Sequence, residues 1–253
     1  MTRRTFLADL GRGAFVLATV ALTGCLPGTG AGAARRAQPS ASTAARASAS
    51  AAPTRPPAGA VWHRVKLGHV SAYVYARGGE AAIVDTGVEG SAEEIGYTLG
   101  AAGLDWTSVG HLILTHRHTD HTGSAADVLT NAPGATAYAG AEDIPTIELA
   151  TPPLPVADGD SIFGLTIVTT PGHTPGSISV FDPVGGVLAA GDALATDGGL
   201  PILPSVRAPA DLEVARASIA KLGALTFETL LVGHGEPIEG GASTKVADLL
   251  ATS

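Results

Sequence analysis

The sequence of 253 residues contains one cysteine, Cys25, and this scarcity limits how the protein can be stabilised and how it can bind metal. A single cysteine cannot form an intramolecular disulfide. Because Cys25 stands in the N-terminal segment, a metal in the downstream domain must be bound by histidine or carboxylate. Stability must come from a hydrophobic core, and a domain of roughly 150–200 residues buries about 70% of its unfolded surface without any disulfide.

Basic residues are scarce outside the N-terminal segment. The whole chain has a formal net charge of −8, but residues 1–60 contain seven arginines and one acid, so residues 61–253 carry −14. A strongly acidic domain repels polyanions, and we therefore expect no nucleic-acid substrate or partner. Bound cations would offset part of this charge if some of the acids are metal ligands.

Long apolar runs are also missing, and the run from Ala14 to Leu22 is too short to span a bilayer, which takes about 20 residues. Residues 1–24 combine a basic start, this apolar run and small residues, which predicts an export signal. The sequence Arg3-Arg4-Thr5-Phe6-Leu7 resembles a twin-arginine signal. The sequence Leu22-Thr23-Gly24-Cys25 resembles a bacterial lipobox, which would place a lipid on Cys25 at the outer face of the cytoplasmic membrane. The alternative is an ordinary secretion signal with an incidental cysteine.

Composition divides the rest of the chain in two. Residues 25–60 consist mostly of small residues, proline and arginine, which cannot form a core and which predict a disordered tether. From Val61 onward, short apolar runs alternate with turn residues, which predicts one domain over residues 61–253. Ser91 to Glu94 has the pattern of a capping box that opens a helix. Strands occur in two groups, each followed by helices, which favours stacked sheets with outer helices.

The densest group of potential metal ligands follows the apolar run Leu112–Leu114. It comprises His116, His118, Asp120 and His121. A hydrophobic core would not select such a group, because each buried and unpaired polar group costs about 1–3 kcal/mol. Imidazole nitrogen and carboxylate oxygen are natural ligands of Zn²⁺, so the group predicts a metal site.

Three further candidate ligands stand just beyond predicted strands, each beside glycine: His173, Asp192 and His234. Glycine permits tight turns and the close approach of the backbone to a bound ion. Taken singly, His173 or His234 is more often a structural turn histidine. The interpretation as metal ligands depends on the whole set.

These motifs, in order, resemble those of the metallo-β-lactamase superfamily over about Val61 to Glu239. The first motif is Ile83-Val84-Asp85-Thr86-Gly87, and the histidine motif and the three later ligands follow it. The resemblance implies a four-layer αββα sandwich, an α/β fold of two mixed β-sheets flanked by helices. It also implies two divalent metal ions, with zinc expected and iron or manganese as alternatives.

The resemblance assigns a role to each candidate residue. His116, His118 and His173 would bind the first ion, Asp120, His121 and His234 the second, and Asp192 would bridge both. Asp85 would hydrogen-bond near the ligand loop and fix its geometry. A hydroxide shared by the ions would attack a carbonyl carbon, and Asp120 would orient it and relay a proton.

The aspartate at position 192 limits the substrate classes that the resemblance implies. True β-lactamases usually have cysteine or serine there, whereas Asp192 resembles glyoxalase II and acyl-homoserine lactonases. The chain ends nineteen residues after His234, so we expect no helical glutathione-binding domain of the glyoxalase II kind. We therefore expect a hydrolase of a small ester, thioester or lactone. The candidate substrate-lining residues are His69, Ser71, Leu200, Ile202 and Arg207, although residues 193–209 read equally well as a plain connecting loop.

Three other functions remain open on the sequence alone. A persulfide dioxygenase of the same fold would use a single iron. A β-lactamase would suit an exported protein but not Asp192. A binding protein of the same fold would have lost catalysis, although such proteins usually lose ligands as well. The sequence makes no prediction of oligomeric state.

Overall fold

The computed structural model of the protein describes residues 59–203 and 209–252, and a six-stranded mixed sheet forms its first half. Strands β1 to β3 are antiparallel, and β3 to β6 are parallel, in the order β1-β2-β3-β4-β5-β6. The strands are β1 Val61–Leu67, β2 Val70–Arg77, β3 Glu80–Val84, β4 Val109–Leu114, β5 Thr136–Gly140 and β6 Leu154–Val156. The predicted signal at residues 1–24, Cys25, nearly all of the tether and Arg207 lie outside the described residues.

A second mixed sheet has the order β14-β13-β10-β9-β8-β7, in which only β10 and β13 pair in parallel. Its strands are β7 Ser161–Ile162, β8 Leu165–Thr169, β9 Ile178–Asp182, β10 Val187–Ala189, β13 Thr229–Leu231 and β14 Ile238–Glu239. A separate hairpin pairs β11 Ala195–Asp197 with β12 Leu200–Ile202. The five α-helices of the described residues are α1 Ala92–Ala101, α2 Thr119–Thr122, α3 Ala125–Asn131, α4 Pro209–Gly223 and α5 Ala242–Thr252. None of them has both the length and the hydropathy needed to cross a bilayer.

The alternation of side chains along the central strands creates the layers. In β4, Leu112 and Leu114 pack with Ile95 of α1, whereas Ile113 points to the other face. Ile113 packs between the sheets in a core shared with Ile167 of β8. Because both faces of its second half are buried, β4 ends in the continuous apolar run Leu112–Leu114.

A third core lies on the far side of the second sheet. It joins residues of β10 and β13 to α4 and α5, through contacts that include Leu188, Leu230, Ile219, Leu222 and Val246. The order of layers is therefore helix, sheet, sheet, helix. The structure confirms the predicted α/β fold with two mixed sheets and flanking helices.

The predicted capping box at Ser91 is wrong, although the helix that it was expected to begin is present. The Ser91 side chain makes no capping hydrogen bond, and its backbone has helical φ and ψ. The Ser91 backbone N–H donates instead to Ser124 Oγ at 2.7 Å, because α1 packs against the start of α3. A tertiary contact therefore replaces the local one.

Candidate metal centre

The carboxyl ends of five strands place the candidate ligands at one edge of the sandwich. Strands β3 and β4 run parallel in the first sheet, and β8, β10 and β13 run in a common direction in the second. The residues that follow them are Asp85, the His116–His121 segment, His173, Asp192 and His234. Loops that leave the carboxyl ends of neighbouring strands meet at one edge of a sheet, so side chains distant in sequence converge there.

The first set of ligands is a three-histidine group of His116, His118 and His173. His116 Nε2 lies 3.0 Å from His118 Nδ1, and His173 Nε2 lies 2.9 Å from the same atom. The three rings are nearly perpendicular to one another, with centroids 4.6–4.7 Å apart. Three imidazole nitrogens that converge in this way offer one cation three ligand atoms.

The second set, the Asp120 group, consists of Asp120, His121 and His234. Asp120 Oδ2 lies 3.2 Å from His234 Nε2 and 4.0 Å from His121 Nε2. Asp120 and His121 are on the four-residue helix α2, which begins one residue after His118. The ligand atoms of this group also lie close enough together to hold one metal ion.

Asp192 lies between the two groups. Its Oδ2 is 3.4 Å from His173 Nε2 and 3.4 Å from His234 Nε2, and its Oδ1 is 3.3 Å from His121 Nε2. One carboxylate thus approaches both sets of ligand atoms. This is the position from which a carboxylate can bridge two ions.

Hydrogen bonds at the back of the rings fix which nitrogen faces the centre. His121 Nδ1 lies 2.8 Å from Asp85 Oδ2, and His234 Nδ1 lies 2.9 Å from the backbone oxygen of His69. Both acceptors require N–H at Nδ1, which leaves Nε2 as the nitrogen that faces the centre and is placed to bind a metal. Thr115 Oγ1 donates to Asp85 and lies 3.1 Å from His116 Nδ1, so it accepts from that ring in the same manner.

The electrostatics of the site fit a bound cation. His121 Nε2 and Asp192 Oδ1 are buried 3.3 Å apart, and neither atom has a hydrogen-bond partner among the described residues. Burial opposes protonation of His121, but Asp85 and Asp192 outweigh it and raise the pKa of His121 to about 10. The same two carboxylates would favour a metal cation that takes the place of the proton on Nε2. Burial and the neighbouring rings lower the pKa of His116 well below its usual value, so its Nε2 keeps a lone pair. Burial would also raise the pKa of Asp192, but its imidazole neighbours lower it overall, which keeps Asp192 anionic.

Asp85, which makes several of these contacts, has a strained backbone conformation. Asp85 has φ of 60°, a left-handed conformation that costs a non-glycine residue about 1–3 kcal/mol. The residue is 3% exposed, and its Oδ1 accepts from the Thr115 backbone N–H at 2.7 Å. Asp85 therefore joins the end of β3 to the ligand loop that follows β4 and to the His121 ring.

The predicted substrate-lining residues do not share one location. His69 is exposed, and its ring stacks on His234 with centroids 5.9 Å apart. Ser71 is 2% exposed, and its hydroxyl accepts from Arg64 Nε at 2.9 Å, so it offers a substrate almost no surface. Leu200 lines a cavity of about 200 Å³ with residues of α5, while Ile202 is exposed on the same hairpin.

Two supporting residues are absent from the ligands and substrate-lining residues that the sequence predicts. Burial raises the pKa of Tyr73 to about 12, and its hydroxyl donates to the backbone oxygen of Val232 at 2.7 Å, two residues before His234. Asp143 is fully buried beside the three-histidine group and accepts from Arg117 and Thr174. Its one available signal is its place in the loop after a buried strand, the position that Asp85 also occupies.

The family model of the metallo-beta-lactamase superfamily matches residues 65–234, which include both ligand groups. The chain belongs to the metallo-beta-lactamase superfamily. Its solved relatives include a metallo-beta-lactamase family protein from Thermus thermophilus, with 24% identity, coverage of 77% of this chain and 79% of that one, and a TM-score of 0.61. A protein solved in a di-iron-bound form has 26% identity, coverage of 73% and 98%, and the same TM-score of 0.61.

Curated relatives in the superfamily cover different shares of the chain. YobT of Bacillus subtilis is 27% identical over 66% of this chain and 83% of its own length. The probable metallo-hydrolase YflN of the same organism is 30% identical over 51% of this chain and 65% of its own length. A hydroxyacylglutathione hydrolase of Erwinia tasmaniensis is 43% identical over 28% of each chain. The names of the last two relatives support a hydrolase family.

Proposed function

We propose that the protein is a metal-dependent hydrolase with a dinuclear site, zinc being the expected metal, that cleaves an ester, thioester or lactone bond. The observation that supports this most directly is the placement of Asp192 between the three-histidine group and the Asp120 group. Two ions bound there would activate a water molecule near neutral pH and polarise a carbonyl oxygen. No serine or cysteine nucleophile is then required.

The side chains around the centre supply positioning and proton transfer. Asp192 is 12% exposed at its side chain, whereas the Asp120 side chain is 31% exposed and can be reached by a substrate. Asp120 can therefore orient the attacking water and pass a proton to the leaving atom. His69 is at the exposed edge beside His234, where it can contact a substrate.

A cavity beside α2 has the size of a small-molecule site, but none of the seven candidate metal ligands lines it. This cavity of about 490 Å³ is bounded by Arg117, Thr119, Thr122 and residues of two neighbouring loops. Small-molecule sites usually have volumes of about 300–1,000 Å³. The name of the Erwinia relative supports thioester cleavage as one of the candidate reactions.

The decisive experiment measures metal and turnover on the same sample. The full-length protein, purified without chelator, is analysed for zinc, iron and manganese and assayed with a thioester, a lactone and a cephalosporin. We expect two metal ions per chain and turnover of the thioester or the lactone. Asp192→Ala should lose metal and turnover together, because the bridging carboxylate is gone, whereas Asp197→Ala should match the wild type, because Asp197 is exposed.

Other results would each reject the proposal in a specific way. One iron per chain with oxygen consumption would indicate a persulfide dioxygenase. Turnover of the cephalosporin alone would indicate a β-lactamase. Absence of metal and of turnover would indicate a binding protein of the same fold.

We further propose that the protein is exported and anchored to the membrane by a lipid on Cys25. The support is the twin-arginine-like and lipobox-like sequence of residues 1–25. Cys25→Ser should move the protein from the membrane fraction to the soluble fraction, because it removes the only lipid attachment thiol. Ser40→Ala, a change in the tether, serves as the control. A Cys25→Ser protein that stays in the membrane fraction would contradict the anchor.

A further inference from the structure

Asp143 is a fully buried carboxylate that accepts four hydrogen bonds. Its Oδ2 accepts from the Arg117 backbone N–H at 3.0 Å and from Thr174 Oγ1 at 2.5 Å. Its Oδ1 accepts from the Gly176 backbone N–H at 3.1 Å and from Arg117 Nη1 at 3.2 Å. Buried charges persist only when they are paired and hydrogen-bonded, and Asp143 meets both conditions.

The donors to Asp143 flank all three members of the three-histidine group. Arg117 stands between His116 and His118 in the loop after β4, and Thr174 follows His173 in the loop after β8. These loops leave different sheets. One carboxylate therefore joins the loop that carries two of the histidines to the loop that carries the third.

The backbone segments around Asp143 are packed too closely for any side chain at two of their glycines. A Cβ atom on Gly176 would lie 2.5 Å from the Asp143 backbone nitrogen, and one on Gly140 would collide with the Gly176 carbonyl oxygen. Gly140 is the last residue of β5, so the end of β5 lies directly against the loop after His173. This contact places Asp143 where it can reach both histidine loops at once.

Asp85 performs a comparable task at the other side of the centre. It accepts from Thr115 and is bonded to the His121 ring. Asp143 instead contacts residues beside the three-histidine group. Asp85 thus supports His121 directly and His116 through Thr115, whereas Asp143 supports the two loops that carry the three-histidine group.

We propose that Asp143 is a positioning residue that holds the three-histidine group in its metal-binding arrangement. The inference rests on the metal site of the proposed function. Asp143 acts through Arg117, Thr174 and Gly176 and need not touch metal or substrate. All four hydrogen bonds to Asp143 come from donor groups of these three residues, so its role requires an acceptor at both oxygens.

Asp143→Asn tests this requirement. The amide has the same shape as the carboxylate, but its NH₂ group cannot accept the two hydrogen bonds that one oxygen accepts. Asp182→Asn is the matched control. Asp182 is 2% exposed and accepts from Trp62 Nε1 at 3.2 Å and from the backbone N–H groups of Val184 and Gly185. It stabilises the turn between β9 and β10 and takes no part in the ligand loops.

The affinity of each metal site is measured on the full-length protein by competition with a chromophoric chelator and by cadmium NMR. Loss of one cadmium resonance in His173→Ala and of the other in His234→Ala assigns the two sites. For Asp143→Asn we expect about 10–100-fold weaker binding at the three-histidine site, the usual cost of losing a residue that orients ligands. Binding at the Asp120 group should change much less, and Asp182→Asn should leave both affinities unchanged.

If Asp143→Asn fails to fold, a second pair of variants tests the role of Asp143 through its hydrogen-bond donor Thr174. Thr174→Val keeps the shape of the side chain and removes one donor to Asp143, whereas Thr174→Ser keeps the hydroxyl. We expect weaker binding at the three-histidine site in Thr174→Val and recovery in Thr174→Ser. Equal affinities in these two variants would overturn the inference.

Two further results would overturn it and are distinguishable. Wild-type protein that binds two ions, with Asp143→Asn binding both equally well, would remove Asp143 from the site but leave the proposed function standing. Wild-type protein that binds no metal would reject the proposed function and the role of Asp143 together.

Discussion

His116, His121 and His234 each use one ring nitrogen to contact a protein oxygen and turn the other toward the metal centre. The oxygens belong to Thr115, to Asp85 and to the backbone of His69. A ring held in this way has lost most of its rotational freedom before a metal arrives. The entropy cost of ordering the ligands is thus met during folding, which favours tight binding.

Gly233 gives a direct test of how closely this arrangement is packed. A Cβ atom there would collide with Asp192 Oδ1 and would lie 2.5 Å from His121 Cε1. We expect Gly233→Ala to displace both side chains and to weaken metal binding about tenfold or more, as changes that misorient ligands do. Competition with a chromophoric chelator measures the affinity.

Gly110→Ala is the control for this substitution, because a Cβ atom on Gly110 meets nothing within 4 Å. It should bind metal as the wild type does. If Gly233→Ala also retained the wild-type affinity, Asp192 and His121 could not occupy these positions when metal is bound.

At the scale of elements, the sequence predicted the strands that carry the ligands because both their faces are buried. Runs such as Leu112–Leu114 are apolar at every position, and polar ligands begin immediately after them. The start of α2 was harder to predict. The helix begins at Thr119 and has only four residues, so Asp120 and His121 are helical in a segment too short for a helical period to show.

The elements and residues that the sequence did not reveal depend on distant partners. Strands β11 and β12 are three residues each, too short for a period-two pattern to stand out in residues 193–209. Asp143 is a single acid in a loop, and only the fold brings Arg117 and Thr174 to it. Sequence patterns predict which residues of one element are buried, but they do not predict which loops come into contact in the fold.

At the scale of the whole molecule, the metal centre draws on both sheets. The His116–His121 segment follows β4 of the first sheet, whereas His173, Asp192 and His234 follow strands of the second. Each of the two proposed ions would therefore link the sheets, since each ligand group has members from both. Separation of the sheets would expose the core between them and break the metal site in the same event.

Metal removal should consequently lower the melting temperature of the domain as one cooperative transition. A ligand that binds only the native state stabilises it by about 2.7 kcal/mol at a free concentration of 100 times Kd. For a domain of roughly 150–250 residues, each kcal/mol shifts Tm by about 2–4 °C, so chelation should lower Tm by roughly 5–11 °C. Differential scanning calorimetry with and without chelator measures the shift, and zinc added back should reverse it.

Asp192→Ala, which is expected to bind no metal, should melt at the same temperature in both conditions. If the wild-type Tm did not change after the chelator had removed the metal, the ions would not link the sheets.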